Sequence, residues 1–320
     1  MKYFKSKSNT GFTLLEAVLY LAIAGTVLYF ISGFAFNSIF GKAKIETFQN
    51  INQNSQSVLD ELSNTIGNSE GVNGFIGNIV LEVPPQVGCS ATGGATSTAD
   101  GYMIHTFTTV GNSTFTVASG SCDAEVLVVA GGGGAGTSIG GYRGGGGGAG
   151  GYRSDNLSIS EGDYSVVVGA GGPVSNNGLN SSFYNLIAIG GGAGGNSQYG
   201  LGAIGGSGGG AASLNSPGGN GTTGQGYAGG GGSGGYNAGG GGGAGGAALA
   251  GWETACADGG VGVSNSISGT AIVYAAGGRG TYNCAVSPVV PNRGNGGYSS
   301  NTGSVGGGSG IVIVRYPIVN

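Results

Sequence analysis

Glycine is the feature that most constrains this chain: it supplies 79 of 320 residues, and much of it falls in tracts rather than singly. Tracts occupy 131–134, 144–148, 190–195, 229–235 and 239–246. Between them lie short β-branched and aromatic segments at 102–109, 114–117, 125–130, 164–168, 186–189, 270–274 and 311–316, which read as strands. Glycine tracts are by default flexible coil, because glycine loses the most backbone entropy on ordering. Two observations point to order instead. Charged residues make up only 8% of the chain, whereas disordered segments usually combine high charge with low hydrophobicity. The interleaved Tyr, Val and Ile side chains also need somewhere to be buried. Extended glycine helices with three residues per turn have no internal hydrogen bonds. Without side chains they can pack closely and satisfy one another's N–H and C=O groups. The absence of a strict Gly-X-Y period and the presence of only seven prolines exclude collagen.

The N-terminus is of another kind. Residues 1–11 are short and basic, with Lys2, Lys5 and Lys7, and an apolar run follows from Phe12 to Phe40. A run of that length is ample to cross about 30 Å of hydrocarbon as a helix, and the lysines favour keeping the leader side in the cytoplasm. Its one acid, Glu16, would cost a few kcal/mol in a membrane helix and so needs a partner. Ile45, Phe48, Ile51, Val58, Leu62 and Ile66 then form an apolar stripe at helical spacing, and Gly67-Asn68 is a helix stop. A helix over 12–66 would reach about 80 Å.

The residues Gly11-Phe12-Thr13-Leu14-Leu15-Glu16 resemble the processing site of type IV prepilins. The resemblance implies cleavage by a prepilin peptidase between Gly11 and Phe12 and N-methylation of Phe12. It also implies that Glu16 pairs with a neighbouring subunit's amino group during filament assembly. The implied partners are other pilin subunits, the peptidase and the inner-membrane assembly machinery. The implied location is single-pass in the cytoplasmic membrane before assembly, then in an extracellular pilus at the cell surface. Domain organisation follows: leader 1–11, N-terminal helix 12–66 (12–40 membrane and filament core, 41–66 amphipathic stalk), connector 67–100 and glycine-rich head 101–320. The expected fold class is a long N-terminal α-helix followed by a β/glycine-rich head of short strands and packed polyglycine-II-like helices. Within the connector, Cys89 to Asp100 is small and polar and reads as a loop.

Strand-plus-glycine phrases beginning at Glu125, Gly162, Ser266 and Gly310 resemble the glycine-rich domain of phage tail-fibre adhesins. That resemblance, over about 102–317, implies glycine helices stacked in a sandwich with variable receptor-binding loops. The loops between tracts supply Tyr142, Tyr199, Tyr227, Tyr236, Trp252 and Tyr282, residue types that suit recognition surfaces; gap-filling is the competing role for most of the tyrosines. The expected partner is a cell-surface or glycan receptor.

Four cysteines, Cys89, Cys122, Cys256 and Cys284, allow three pairings; the sequence-local one, Cys89–Cys122 with Cys256–Cys284, is expected and fits an oxidising compartment. One histidine, His105, cannot complete a zinc site of usual spacing, lies in an expected strand and has no nucleophile partner in sequence. Asp155, Glu161 and Asp163 read as a solvated turn rather than a Ca²⁺ site. Matches to G-x-G-x-x-G arise from glycine abundance and open no βαβ unit. The scattered Arg and Lys residues form no basic patch, so no nucleic acid is expected. The sequence thus predicts a protein that is not an enzyme, without metal or cofactor. It predicts a minor or tip pilin displaying an adhesive head, the alternatives being a major pilin or a pseudopilin of a secretion or DNA-uptake system.

Overall fold

The computed structural model describes residues 88–138, 142–197, 200–213, 216–234, 237–251, 257–280, 289–300 and 303–318. All belong to the unit Val83–Asn320. Regular secondary structure among them is entirely β. This corrects the expected fold class: no helix occurs among the described residues, which carry an antiparallel sheet and extended glycine segments. The physical reason lies in composition, since glycine is costly in a helix and the apolar residues alternate with period two rather than 3.6. The segment 12–66 to which the long helix was assigned lies outside the described residues. Among the described residues no helix is long and apolar enough to cross a membrane, so the single-pass membrane placement is corrected too.

The main sheet contains β1 (Ser90–Thr92), β2 (Ala95–Ala99), β3 (Tyr102–Phe107), β4 (Gly111–Val129), β5 (Tyr152–Val168), β6 (Ser181–Phe183), β7 (Leu186–Ala188) and β12 (Ile311–Pro317). Its order is β2-β3-β12-β4-β5-β6-β7, with β1 also on β4, and every pairing is antiparallel. Two small hairpins, β8 (Val263–Asn265) with β9 (Ile272–Tyr274) and β10 (Ser299–Ser300) with β11 (Gly303–Ser304), complete the set. Cys89–Asp100, expected as a loop, supplies β1 and β2. Their small polar residues pair through the backbone, and Asp100 and Gly101, both at positive φ, close the tight β2–β3 hairpin.

Both faces of the centre of the sheet are buried. Val126, Val128, Val312 and Val314 point into one core with Phe107, Phe115 and Phe183. Leu127, Val129, Ile311 and Ile313 point into the other, against Ile104, Ile267 and Tyr274. Near-continuous apolar runs in β4 and β12 follow from this two-sided burial. Cys89 and Cys122 form a disulfide with a Cα–Cα distance of 5.0 Å, which ties the entry of the head to β4.

Extended glycine segments grow out of the sheet without a break in register. Val129 pairs with Tyr152. Next, Ala130 N–H donates to Gly151 O, Gly133 to Gly148 and Gly136 to Gly145, at 2.8–3.0 Å. One chain steps forward as the other steps back, as in the ladder below. The segment 130–136 also bonds in turn to two other neighbours. Gly131 and Gly134 donate to Leu179 and Asn176, and Gly132 and Ala135 donate to Gly308 and Val305. Each neighbour is met every third residue, the repeat of a three-residue-per-turn extended chain. The segment 144–151 behaves likewise: Gly145 and Gly148 donate to Gly195 and Gly192, Gly146 and Ala149 to Gly239 and Gly242, and Gly147 and Gly150 to Gly297 and Gly294. Glycine is required here by proximity rather than by φ. A Cβ at Gly133 would stand 2.2 Å from Gly192 O, and one at Gly136 1.8 Å from Gly195 O. Where a backbone partner is missing, side chains stand in. Asn180 and Asn177 Oδ1 accept from Gly190 and Ala193 N–H, and Gln225 Oε1 accepts from Ile189 N–H, each at 2.8 Å.

Candidate functional site

The glycine segments run back and forth between the sheet and one far end, and the chain turns at that distal end gather together. Ser197 N–H donates to Thr137 O, and Ala212 N–H to Gly200 O. Gly232 N–H donates to Ser216 O, Ser233 to Asn237, Gly251 to Gly231 and Gly280 to Ala257. Gly280 bridges Ser299, and Ser299 Oγ lies 3.1 Å from Ser138 Oγ. The described residues that border 139–141, 198–199, 214–215, 235–236, 252–256 and 301–302, together with Gly280, are thereby held at this end on one backbone-bonded support.

The floor of this end is a network of hydroxyls and amides. Asn196 Oδ1 accepts from Thr137 N–H at 2.9 Å, Thr137 Oγ1 at 3.3 Å and Ser175 Oγ at 2.6 Å. Ser304 Oγ donates to Gly136 O at 2.6 Å and lies 3.2 Å from Ser299 Oγ. Gly144 N–H donates to Ser138 Oγ, and Arg143 N–H to Ser213 Oγ. Charge is sparse: the half-exposed pair Arg279 and Asp258 meets at 2.8 Å on one flank. Such a surface offers neutral hydrogen-bonding groups in fixed positions, which suits recognition rather than acid–base chemistry. Of these Ser, Thr and Asn residues, Thr137 and Ser138 fall in the loop 137–143 expected from the sequence as part of a recognition surface, whereas Ser175, Asn196, Ser213, Ser299 and Ser304 lie outside the expected loops. The available signal was their place immediately before or after a glycine tract.

Of the residues expected to form a receptor surface, Tyr142 lies half-buried at the distal end, next to the Arg143–Ser213 contact. Tyr227 is 53% exposed but lies at the opposite end, beside the start of β5, where Tyr152 N–H donates to Gln225 O. Tyr199, Tyr236, Trp252 and Tyr282 fall outside the described residues, as do Cys256 and Cys284, and Gly11, Phe12 and Glu16. The described residues flanking Tyr199, Tyr236 and Trp252 lie at the distal end, as does Gly280 before Tyr282, whereas Val289 after it lies nearer the sheet, beside Gly308.

His105 is fully buried in β3. Its Nδ1–H donates to Gly93 O at 2.8 Å, since a carbonyl can only accept. Its Nε2 faces Tyr316 Oη at 3.2 Å, and its ring packs edge-on against Phe115. It is a core residue with both nitrogens engaged. Burial pushes the Tyr316 and Tyr274 hydroxyls above the usual phenol range. Glu125 is held by Arg315 Nε and Nη2 at 3.1 and 2.6 Å, and the same guanidinium covers the Tyr102 ring at 4.5 Å. Asp163 accepts from Thr116 Oγ1 at 2.7 Å on the exposed side of β5. Among the described residues no group of three or more His, Cys, Asp or Glu side chains is placed to hold a metal ion.

A comparison with curated proteins finds no significant match. A protein-family model described as a glycine-rich domain matches residues 108–317, which span the chain from just before β4 to the end of β12. The chain belongs to this glycine-rich domain family.

Proposed function

We propose that the protein is a minor or tip type IV pilin-like subunit, a structural rather than catalytic component, that presents its glycine-rich head to a receptor on another surface. The observation that carries the reading is the gathering of Thr137, Ser138, Asn196, Ser213, Ser299 and Ser304 at one end of a backbone-bonded glycine array. Separate turns on a shared rigid base can vary in sequence without disturbing their support, the arrangement used by recognition surfaces generally. The resemblance of Gly11-Phe12 and Glu16 to a prepilin site supports the assembly half of the reading, with other pilin subunits, a prepilin peptidase and an assembly machinery as partners. The Cys89–Cys122 disulfide fits an oxidising compartment.

Two experiments test the two halves separately. Filaments sheared from cells should contain the protein at low abundance, starting at Phe12, and Glu16→Gln should abolish incorporation; normal incorporation of the variant refutes the pilin half. Full-length protein should bind target cells, and replacing 137–143 by a Gly-Ser loop of equal length should reduce that binding while leaving incorporation intact. Undiminished binding, or none at high concentration by the parent protein, refutes the recognition half.

A further inference from the structure

Tyr227 belongs to a different feature from the distal turns. It lines an open cleft of about 730 Å³ together with Tyr152, Asn220, Thr223, Gln225 and short glycine and alanine stretches. The cleft lies at the sheet end of the array. Its walls are fixed. Gln225 is 8% exposed, its Oε1 accepts from Ile189 N–H at 2.8 Å, and its Nε2 donates to Ile187 O at 3.3 Å. Tyr152 is held from the other side by Asn265, whose Nδ2 donates to the phenol oxygen at 2.7 Å. The turn between the walls is tight: Gln225 and Gly226 N–H both donate to Thr222 O, and Gly224 sits at φ +76°.

Against this fixed frame, the groups that face outward are free. Asn220 and Thr223 are exposed, and their side chains make no hydrogen bond within the described head. Tyr227 presents its ring to solvent. No charged side chain lines the cleft. With the Gln225 amide and the Tyr152 phenol already engaged, the lining offers two aromatic rings, the Asn220 amide and the Thr223 and Tyr227 hydroxyls, all neutral, on a hydrogen-bonded base. Aromatic faces accept the C–H-rich side of a pyranose ring, while amide and hydroxyl groups match its equatorial hydroxyls. The missing charge disfavours anionic and cationic ligands, which would be desolvated without a counter-charge.

We propose that this cleft is a binding site for a neutral saccharide, with Tyr227 as its stacking platform and Asn220 and Thr223 as its hydrogen-bonding groups. The site is separate from the distal turns and does not rest on their role. The test uses the full-length chain against immobilised neutral oligosaccharides of glucose, galactose, mannose and N-acetylglucosamine, with sialylated and sulfated counterparts alongside. Hits are followed by saturation-transfer NMR. At least one neutral oligosaccharide should bind in preference to its charged counterparts. Tyr227→Ala should weaken it by at least about tenfold, the effect of losing an aromatic anchor. Asn220→Leu and Thr223→Val should each weaken it by several-fold, and Tyr142→Ala at the distal end should leave it unchanged. Tyr227 is exposed, so an unaltered melting temperature should accompany its loss; if Tyr227→Ala does not fold, the Asn220 and Thr223 variants decide. The proposal is overturned if no neutral oligosaccharide binds up to millimolar concentration. It is equally overturned if only charged ones bind, or if binding survives the Asn220→Leu/Thr223→Val double substitution. Loss on Tyr142→Ala alone would move the saccharide to the distal turns and also overturn it.

Discussion

Two glycines of the same head should respond in opposite directions to the same substitution. Gly133 lies inside the array, where an added Cβ would meet Gly192 O at 2.2 Å and its carbonyl carbon at 2.5 Å. Both atoms are backbone, so no side chain can swing aside. Accommodating alanine requires the segments 130–137 and 189–197 to part by about 1 Å, to reach ordinary van der Waals separation. The bonds that hold those two segments, Gly191 to Gly131 and Gly194 to Gly134, are 2.9 Å long and would open beyond hydrogen-bonding range. Each opened bond leaves buried backbone groups unpaired, at about 1–3 kcal/mol per bond. With two bonds opened, Gly133→Ala should cost roughly 2–6 kcal/mol, equivalent to roughly 4–24 °C in Tm for a domain of this size. Gly234, by contrast, has open space where the Cβ would go, and its φ is not positive. Gly234→Ala should stabilise by about 0.4–1 kcal/mol, because alanine restricts the unfolded chain. Denaturant unfolding of the two variants, monitored by far-UV circular dichroism, measures the difference. A Gly133→Ala variant within about 0.5 kcal/mol of Gly234→Ala would refute the claim that backbone proximity, rather than flexibility, selects glycine in the array.

Three further outcomes are expected. The Cys89–Cys122 bond closes a sequence separation of 33, so the Cys89→Ala/Cys122→Ala double variant should lose about 3–4 kcal/mol in denaturant unfolding on the chain-entropy account. Tyr274 and Tyr316 have folded-state pKa values raised above 10.0 by burial. Their protonated forms are favoured in the folded state, so their contribution is complete below pH 10 and is lost as pH rises through the folded values. Unfolding free energy should therefore fall above pH 10, and less so in Tyr274→Phe/Tyr316→Phe. His105→Leu leaves the partly buried Gly93 carbonyl without its donor and removes one partner of the Tyr316 hydroxyl, which keeps its bond to the Ala91 backbone, and should destabilise by about 1–3 kcal/mol, while saccharide and cell binding by the folded fraction stay unchanged.

What the sequence discloses and what it hides follow from locality. Strands at 102–109 and 311–316 are legible because their β-branched and aromatic residues are buried, and β3 and β12 stand there. The Cys89–Cys122 pair is legible from its short separation. β1 and β2 are not, because Ser90–Thr92 and Ala95–Ala99 are largely exposed; backbone pairing with β4 and β3 makes them strands, and pairing leaves no mark on composition. β4 reads as two pieces because Ala118–Asp123 looks like a break, yet the ladder with β5 absorbs it as a register shift between Val117 and Ser121. For the candidate site, the turn residue types are legible but their gathering is not. It depends on which segment lies beside which, and glycine tracts are alike in sequence while distinct in neighbours. Tyr227 shows the consequence: grouped by residue type with the loop residue Tyr142, it stands at the sheet end of the array, away from Tyr142.

The periodic bonding of 130–136 and 144–151 also limits how such a head can change over generations. With three residues per turn, each added or deleted residue rotates everything after it by about 120°. A single glycine gained within 131–134 would aim the following amides at the wrong neighbours, whereas three would restore their directions one turn further along. Tract length is thus tolerant of change only in triplets, much as a coding sequence tolerates gaps. Residues beyond the ends of the tracts lie outside that frame, so a single residue inserted there would leave the three-residue register of the tracts intact.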